Sequence, residues 1–172
     1  MKMSEPEELL TVVDDNDNVI GEATKKEIRT KVLNHRSVHI FIFNGNGELM
    51  ICKRPHFKQA YPNQYTSSAG GKVSAGENYE ESAHRELEEE LGIDVELKKI
   101  GSYINYHEVA NNRVFHQLFM GESEGPYVPD PNEIEQYEFV KLDELEQRVK
   151  NKKNDFAEPF IKALKLYQSR ND

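Results

Sequence analysis

The chain has 172 residues, and its 22 Lys and Arg against 31 Asp and Glu give a formal net charge of −9 at pH 7. This length suits one domain with an ordinary core, and the acidic balance argues against duplex nucleic acid or an anionic membrane surface as the main partner. The single cysteine, Cys52, cannot form an internal disulfide, and no signal peptide or long apolar segment is visible, so a cytoplasmic location is expected.

The first third of the chain alternates between strand and turn patterns. Short strands are predicted at residues 8–13 and 19–21, and a helix is predicted at 23–33. A β-branched and aromatic stretch at 37–43, the turn NGNG and a second such stretch at 48–53 then indicate a β-hairpin.

The middle of the chain predicts a helix at residues 79–91. Asn78 followed three residues later by Glu81 is typical of a helix N-terminus, and Gly92 suits the left-handed residue after a helix C-terminus. Beyond it, strands are predicted at 95–107, 114–122 and 137–141, and helices at 142–149 and 157–167. Strands and helices in this mixed order favour a layered α/β sandwich.

Three carboxylates gather on one face of the predicted helix at 79–91. Glu86, Glu89 and Glu90 stand at i, i+3 and i+4, beside an apolar stripe that faces the core. Like charges at this spacing repel one another, and a bound cation reverses the sign of that energy. Because no Cys or paired His is near, a hard ion that prefers oxygen ligands is expected, Mg²⁺ or Mn²⁺.

The same segment carries a longer pattern. Residues 71–93 read GKVSAGENYEESAHRELEEELGI and fit G-x5-E-x7-R-E-U-x-E-E-x-G-U, where U is a bulky aliphatic residue. This pattern resembles the signature box of the Nudix hydrolases. The resemblance implies an α+β fold, an α/β/α sandwich with a mixed β-sheet, and a single Nudix domain over residues 1–172 with an N-terminal strand and helix extension at about 1–35.

The resemblance also implies an activity. Nudix enzymes cleave the phosphoanhydride bond of a nucleoside diphosphate derivative or a related diphosphate by metal-assisted attack of water on phosphorus. By position, the metal ligands are expected to be Gly71, through its carbonyl, and Glu86, Glu89 and Glu90. Glu86 and Glu89 are expected to be catalytic, with Glu86 also a possible general base, and an ion pair of Arg85 with Glu77 is expected to support them.

Other site residues are expected outside the box. Family members often recruit a carboxylate from a later loop, and Glu133 and Glu135 are the favoured catalytic residues there. Arg54, Lys58 and Lys72 gather positive charge before the helix and are expected to bind the diphosphate. The expected partner is therefore a small diphosphate, and a homodimer is a further possibility.

Two alternatives stay open. The sequence outside the box resembles isopentenyl diphosphate isomerases, which share the fold, but Gly70 stands where those enzymes carry a catalytic Cys and Lys72 where they carry a His. Of the residues that bind the metal in the isomerases, only one is retained in this sequence, as His35. The second alternative is a non-catalytic sensor that binds a diphosphate or nucleotide and reports to a partner.

Overall fold

The computed structural model describes residues 6–107 and 110–170, apart from the side chain of His107. Its strands and helices, in chain order, are β1 (Leu9–Val13), β2 (Val19–Thr24), α1 (Lys25–Lys31), β3 (His35–Phe43), β4 (Leu49–Lys53), β5 (Tyr65–Thr66), β6 (Ala69–Lys72), α2 (Tyr79–Leu91), β7 (Lys98–His107), β8 (Asn112–Glu122), β9 (Gln136–Val140), α3 (Leu142–Asn151), a 3₁₀ turn at Lys153–Asp155, and α4 (Glu158–Arg170). None of these helices is long and apolar enough to cross a membrane.

The described strands form one mixed sheet around β3. Strand β3 runs parallel to β8 and antiparallel to β1, β4 and β6, while β7 pairs with β8, and β5 and β9 pair with β4. The predicted α+β architecture with a mixed sheet is confirmed. The N-terminal hairpin joins this sheet at Val12, which is paired with His35.

Helices cover both faces of the sheet, which gives the three layers of the predicted sandwich. Successive residues of a strand point to opposite faces, so Val38, Ile40 and Ile42 of β3 pack with Leu87 and Leu91 of α2. Phe41 and Phe43 pack on the other face, with α4 and α3, in a second apolar cluster. The side chain of Phe160 in α4 is fully buried there.

Helix α2 has the bounds that the sequence predicts. The Asn78 side chain accepts a hydrogen bond of 2.8 Å from the Glu81 N–H, and Gly92 ends the helix at φ 67°. Two short strands, β5 and β6, were not predicted. Their sequence YTSSAGGK lacks the β-branched alternation that marks a strand, and β6 forms because it pairs with four residues of β3.

Helix α1 is shorter than predicted because its ends are set by local geometry. Thr24 accepts a hydrogen bond from the Glu27 N–H, the Glu27 carboxylate accepts one from the Thr24 N–H, and Val32 ends the helix at φ 54°. Ala23 is therefore the next-to-last residue of β2 rather than the start of the helix.

Removing this cap should lower stability measurably. We expect Thr24→Ala to reduce the free energy of unfolding by about 1 kcal/mol, because the first turn of α1 loses its side-chain acceptor. Urea unfolding followed by circular dichroism measures the change. Thr24→Ser keeps the hydroxyl and should stay close to wild type, and equal losses in the two variants would show that the cap is not the cause.

Candidate active site

A cavity of about 330 Å³ opens on the sheet face that carries α4, beside the start of that helix. Polar residues of β3 and β8 form part of its wall, and Ala157 and Pro159 border it where α4 begins. Five residues that the sequence predicted for the site line this cavity: Arg54, Gly71, Lys72, Glu90 and Glu133. The fold therefore brings together side chains that are as much as 79 positions apart in the sequence.

Glu90 is a buried carboxyl group at the edge of the cavity. Its side chain belongs to the last turn of α2, is 7% exposed, and accepts a hydrogen bond of 2.9 Å from the N–H of Gly70. Burial raises the pKa of Glu90 well above its ordinary value, and the charge of Glu86 adds to the effect, while the Gly70 N–H opposes it. An approaching cation would offset the cost of keeping this group ionised.

Glu86 packs directly against β6, and glycine is what permits the contact. A Cβ atom on Gly71 would stand 2.4 Å from Glu86 Oε1, which is closer than any real contact of that kind. Burial raises the pKa of Glu86 to about 7, with Arg85 opposing the shift and Glu89 adding to it. Both acids therefore contact a glycine of β6, Glu86 at Gly71 and Glu90 at Gly70, and the absence of a Cβ atom lets each carboxylate approach the backbone.

Arg85 holds the carboxylates of this region together. Its Nε donates to Glu77 at 2.8 Å, and its Nη1 donates to Glu86 at 3.0 Å and to Glu89 at 3.2 Å. The Ser82 hydroxyl also donates to Glu77. Glu89 is the most exposed of these acids, with a side chain 58% exposed, and neither Glu86 nor Glu89 is among the residues that line the cavity.

The donor set fits Mg²⁺ or Mn²⁺. Within the described residues no three Cys, His, Asp or Glu side chains form a ready metal cage. Mg²⁺ does not require one, because it usually keeps several waters and takes one or two carboxylates together with substrate phosphates. Glu86 and Glu90 supply two such carboxylates, and the Gly71 carbonyl, which accepts a hydrogen bond of 3.1 Å from Ser37, belongs to the strand that contacts both.

The predicted substrate-binding residues separate into two groups. Arg54 and Lys72 line the cavity, and burial lowers the pKa of Lys72 to about 8, with the charges of Lys25 and Arg54 adding to the shift. Lys58 is not a lining residue, and its ammonium donates to Glu133 at 2.7 Å. Glu135 also lies outside the lining and faces Lys53 at 3.6 Å.

Sequence reasoning missed five buried polar residues of the cavity: His39, Ser67, Ser68, Asn105 and His116. His39 shares a face of β3 with His35 and Ser37, and a polar residue at every second position of HRSVH was the available signal. His116 and Asn105 follow no such pattern. Only the pairing of β3, β7 and β8 shows that they belong to the same face.

Gly70, which the sequence resemblance matches to the isomerase Cys, has no room for a larger side chain. A Cβ atom on Gly70 would stand 2.7 Å from the carbonyl oxygen of Val38, a backbone atom that cannot move aside cheaply. Cys52 also lines the cavity, but burial raises the pKa of its thiol far above the ordinary value, with the charge of Glu90 adding to the shift. A buried thiol of this kind is a poor nucleophile.

Comparison with known proteins gives a consistent picture. The NUDIX domain family matches residues 33–164. An uncharacterized Nudix hydrolase of Yersinia pestis is 35% identical over 166 residues, covering 96% of this chain and 88% of the relative. A Photorhabdus laumondii protein named isopentenyl-diphosphate Delta-isomerase 2 is 33% identical over 161 residues, covering 92% and 91% of the two chains. A crystal structure from Deinococcus radiodurans superposes with a TM-score of 0.72 at 27% identity, over 84% of this chain and 90% of that one.

Proposed function

The chain belongs to the Nudix hydrolase family, and from this premise we propose that it is a Mg²⁺- or Mn²⁺-dependent hydrolase of a phosphoanhydride bond. Its substrate would be a nucleoside diphosphate derivative or a related small diphosphate. The observation that carries the proposal is the placement of Glu86 and Glu90 against the glycines of β6, beside a cavity that also contains Arg54 and Lys72. Carboxylates that can bind a metal ion therefore lie close to basic side chains that can bind phosphate.

Nudix hydrolases generally use divalent metal ions, and in this chain the proposed ligands are Gly71, Glu86, Glu89 and Glu90. Such an ion, when bound, offsets the negative charge on phosphoryl oxygens and acidifies water. Glu89 would bind the ion after breaking its ion pair with Arg85, since its side chain is the most exposed of the three acids. Glu77 and Arg85 would position the ligands without contacting the substrate.

The chain's own residues would bind the substrate and move the proton. Arg54 and Lys72 would bind the phosphate oxygens and hold the diphosphate across the cavity. Water would attack one phosphorus, the bond from that phosphorus to the bridging oxygen would break, and a carboxylate would take the proton of the water. Glu133 is the better placed of the two later acids for this role because it lines the cavity, where Lys58 fixes it from one side.

A panel of diphosphates with and without metal tests the proposal. We expect release of phosphate or of a nucleoside monophosphate from at least one member of the panel with Mg²⁺ or Mn²⁺, and a loss of at least about a hundredfold in rate when EDTA removes the ion. Ion chromatography of the products measures both. Turnover that persists unchanged in EDTA would refute the metal-dependent mechanism.

The isomerase is the second candidate, and the Photorhabdus laumondii relative is the observation that favours it. The crowded Gly70 position and the raised pKa of the Cys52 thiol oppose it. Incubation with isopentenyl diphosphate distinguishes the two activities, because an isomerase would form dimethylallyl diphosphate with the P–O–P bond intact. A non-catalytic sensor would instead bind diphosphates tightly and cleave none of the panel. The cytoplasmic location and the homodimer stay predictions.

A further inference from the structure

We give the name polar floor to four of the buried polar side chains that line the cavity: His39, Ser67, Asn105 and His116. Each of them is at most 8% exposed. They come from β3, β7, β8 and the link between β5 and β6, and they lie on the sheet face that elsewhere carries the apolar cluster under α4. Buried polar groups in such a place are costly unless each finds a hydrogen-bond partner.

Three members of the polar floor have that partner within the protein. His39 Nδ1 and Ser67 Oγ share a hydrogen bond of 2.7 Å. The Lys162 ammonium donates to Asn105 Oδ1 at 2.6 Å. His39, Ser67 and Asn105 therefore each have a hydrogen-bond partner within the protein.

His116 is different. Within the described residues neither of its ring nitrogens has a hydrogen-bond partner, although the residue is 5% exposed. In the described part of the chain, the one other buried side-chain atom without a hydrogen-bond partner is Oδ1 of Asn112, four residues earlier on the same face of β8. An unpaired buried donor or acceptor destabilises the fold, so a ligand group that forms a hydrogen bond with His116 removes that cost and binds more tightly.

Two aromatic rings pack against the His116 ring. The Tyr103 ring stacks on it at 4.6 Å with an angle of 6° between the planes, and the His39 ring lies 5.2 Å away at 47°. The Tyr103 hydroxyl donates to the Pro159 carbonyl at 2.7 Å, which anchors the stack to the start of α4. Both ring nitrogens of His116 are buried, and a half-turn about its Cβ–Cγ bond, which exchanges nitrogen and carbon positions, would bring a nitrogen to the ring edge that lines the cavity.

The charge state of His116 defines what it can recognise. Burial lowers the pKa of His116 to about 2, with His39 and His35 adding to the shift, so the ring is neutral at physiological pH. A neutral imidazole offers one donor and one acceptor. A hydroxyl group satisfies either of them, whereas a hydrocarbon tail leaves both unpaired.

We propose that His116 determines substrate specificity by binding an uncharged, hydroxyl-bearing group, such as a pentose, that is attached to the diphosphate. This inference rests on the proposed function, which puts the diphosphate at Arg54, Lys72 and Glu90 in the same cavity. The cavity volume of about 330 Å³ lies near the lower end of the range of about 300–1,000 Å³ for ligand pockets. It suits a diphosphate with one sugar-sized group better than a dinucleotide.

Three uncleavable probes with the same phosphorus centre test this assignment: methylenebisphosphonate itself, its ribose 5-ester and its 3-methylbut-3-enyl ester. Calorimetry with Mg²⁺ measures their affinities for wild type, His116→Phe and His116→Gln. We expect wild type to bind the ribose probe at least about tenfold more tightly than the alkenyl probe, and His116→Phe to lose that preference. His116→Gln retains a donor and an acceptor and should keep part of it.

The outcomes separate this inference from the proposed function. Equal or tighter binding of the alkenyl probe by wild type, or an unchanged preference in His116→Phe, would overturn the role of His116 while leaving the diphosphate site intact. Failure of wild type to bind any of the three probes would overturn the proposed function and this inference with it. If His116→Phe does not fold, imidazole ¹⁵N NMR spectra of the wild-type protein provide the test. The ribose probe should shift the His116 signals, and methylenebisphosphonate alone should not. His116 signals that the ribose probe leaves unshifted would refute the contact.

Discussion

Replacing Glu90 by Gln is expected to lower kcat for diphosphate hydrolysis by at least about a hundredfold, the loss typical when one group that stabilises transition-state charge is removed. The change is nearly isosteric, and the amide oxygen of Gln can still accept the hydrogen bond from Gly70. What disappears is the negative charge beside the cavity. Steady-state rates at saturating Mg²⁺ measure the effect.

The same substitution should not destabilise the metal-free protein. The folded-state pKa of Glu90 is raised by burial, so the ionised form that dominates in the unfolded chain at neutral pH is disfavoured in the folded protein. Gln removes that penalty, and the free energy of unfolding at pH 7 without metal should be equal to or higher than that of wild type. Activity should therefore fall without any fall in stability, a combination that a general packing defect would not produce.

Glu88→Gln is the matched control, because Glu88 is an exposed carboxylate on the same helix. It should keep wild-type rates and stability. If Glu90→Gln also retained its activity, the metal assignment within α2 would be wrong. A parallel fall of rate and stability would point to damaged packing instead of lost chemistry.

Local signals account for the part of the fold that the sequence predicted. Helix α2 has a capping Asn78, an apolar stripe with the helical period and a terminal Gly92, and its predicted bounds agree with the structure. The layered sandwich followed from the order of strands and helices, and the mixed sheet from the resemblance to the Nudix hydrolases. Strands β5 and β6 were missed because their residues carry no strand pattern, and pairing with neighbouring strands alone makes them extended.

Long-range contacts explain what could not be predicted about the site. The sequence argument held that repulsion among the α2 carboxylates requires a cation, and it paired Arg85 with Glu77 alone. In the structure Arg85 also bonds Glu86 and Glu89, so the protein itself offsets part of that repulsion. Likewise, His116 joins His39 only through the parallel pairing of β8 with β3, which one strand's sequence does not reveal.

Gly71→Ala is expected to lower kcat by about a hundredfold, because an ångström-scale misplacement of a catalytic group costs about that much. The new methyl group would stand 2.4 Å from Oε1 of Glu86 and 2.5 Å from its Cδ. The carboxylate must therefore move away from β6. It is the end of a flexible side chain, so most of the cost should appear in the rate and less in the free energy of unfolding.

Gly21→Ala is the matched control for this prediction. Gly21 lies in β2, and a Cβ atom built there meets no other atom within 4 Å, so its variant should keep wild-type kcat. The comparison separates loss of a glycine in a strand from loss of the Glu86 contact. Because the Gly71 carbonyl remains in place in the alanine variant, a wild-type rate would show that the position of Glu86 against β6 is not needed for hydrolysis. A large loss of kcat would instead show that the glycine at position 71 leaves the space in which the Glu86 carboxylate is held.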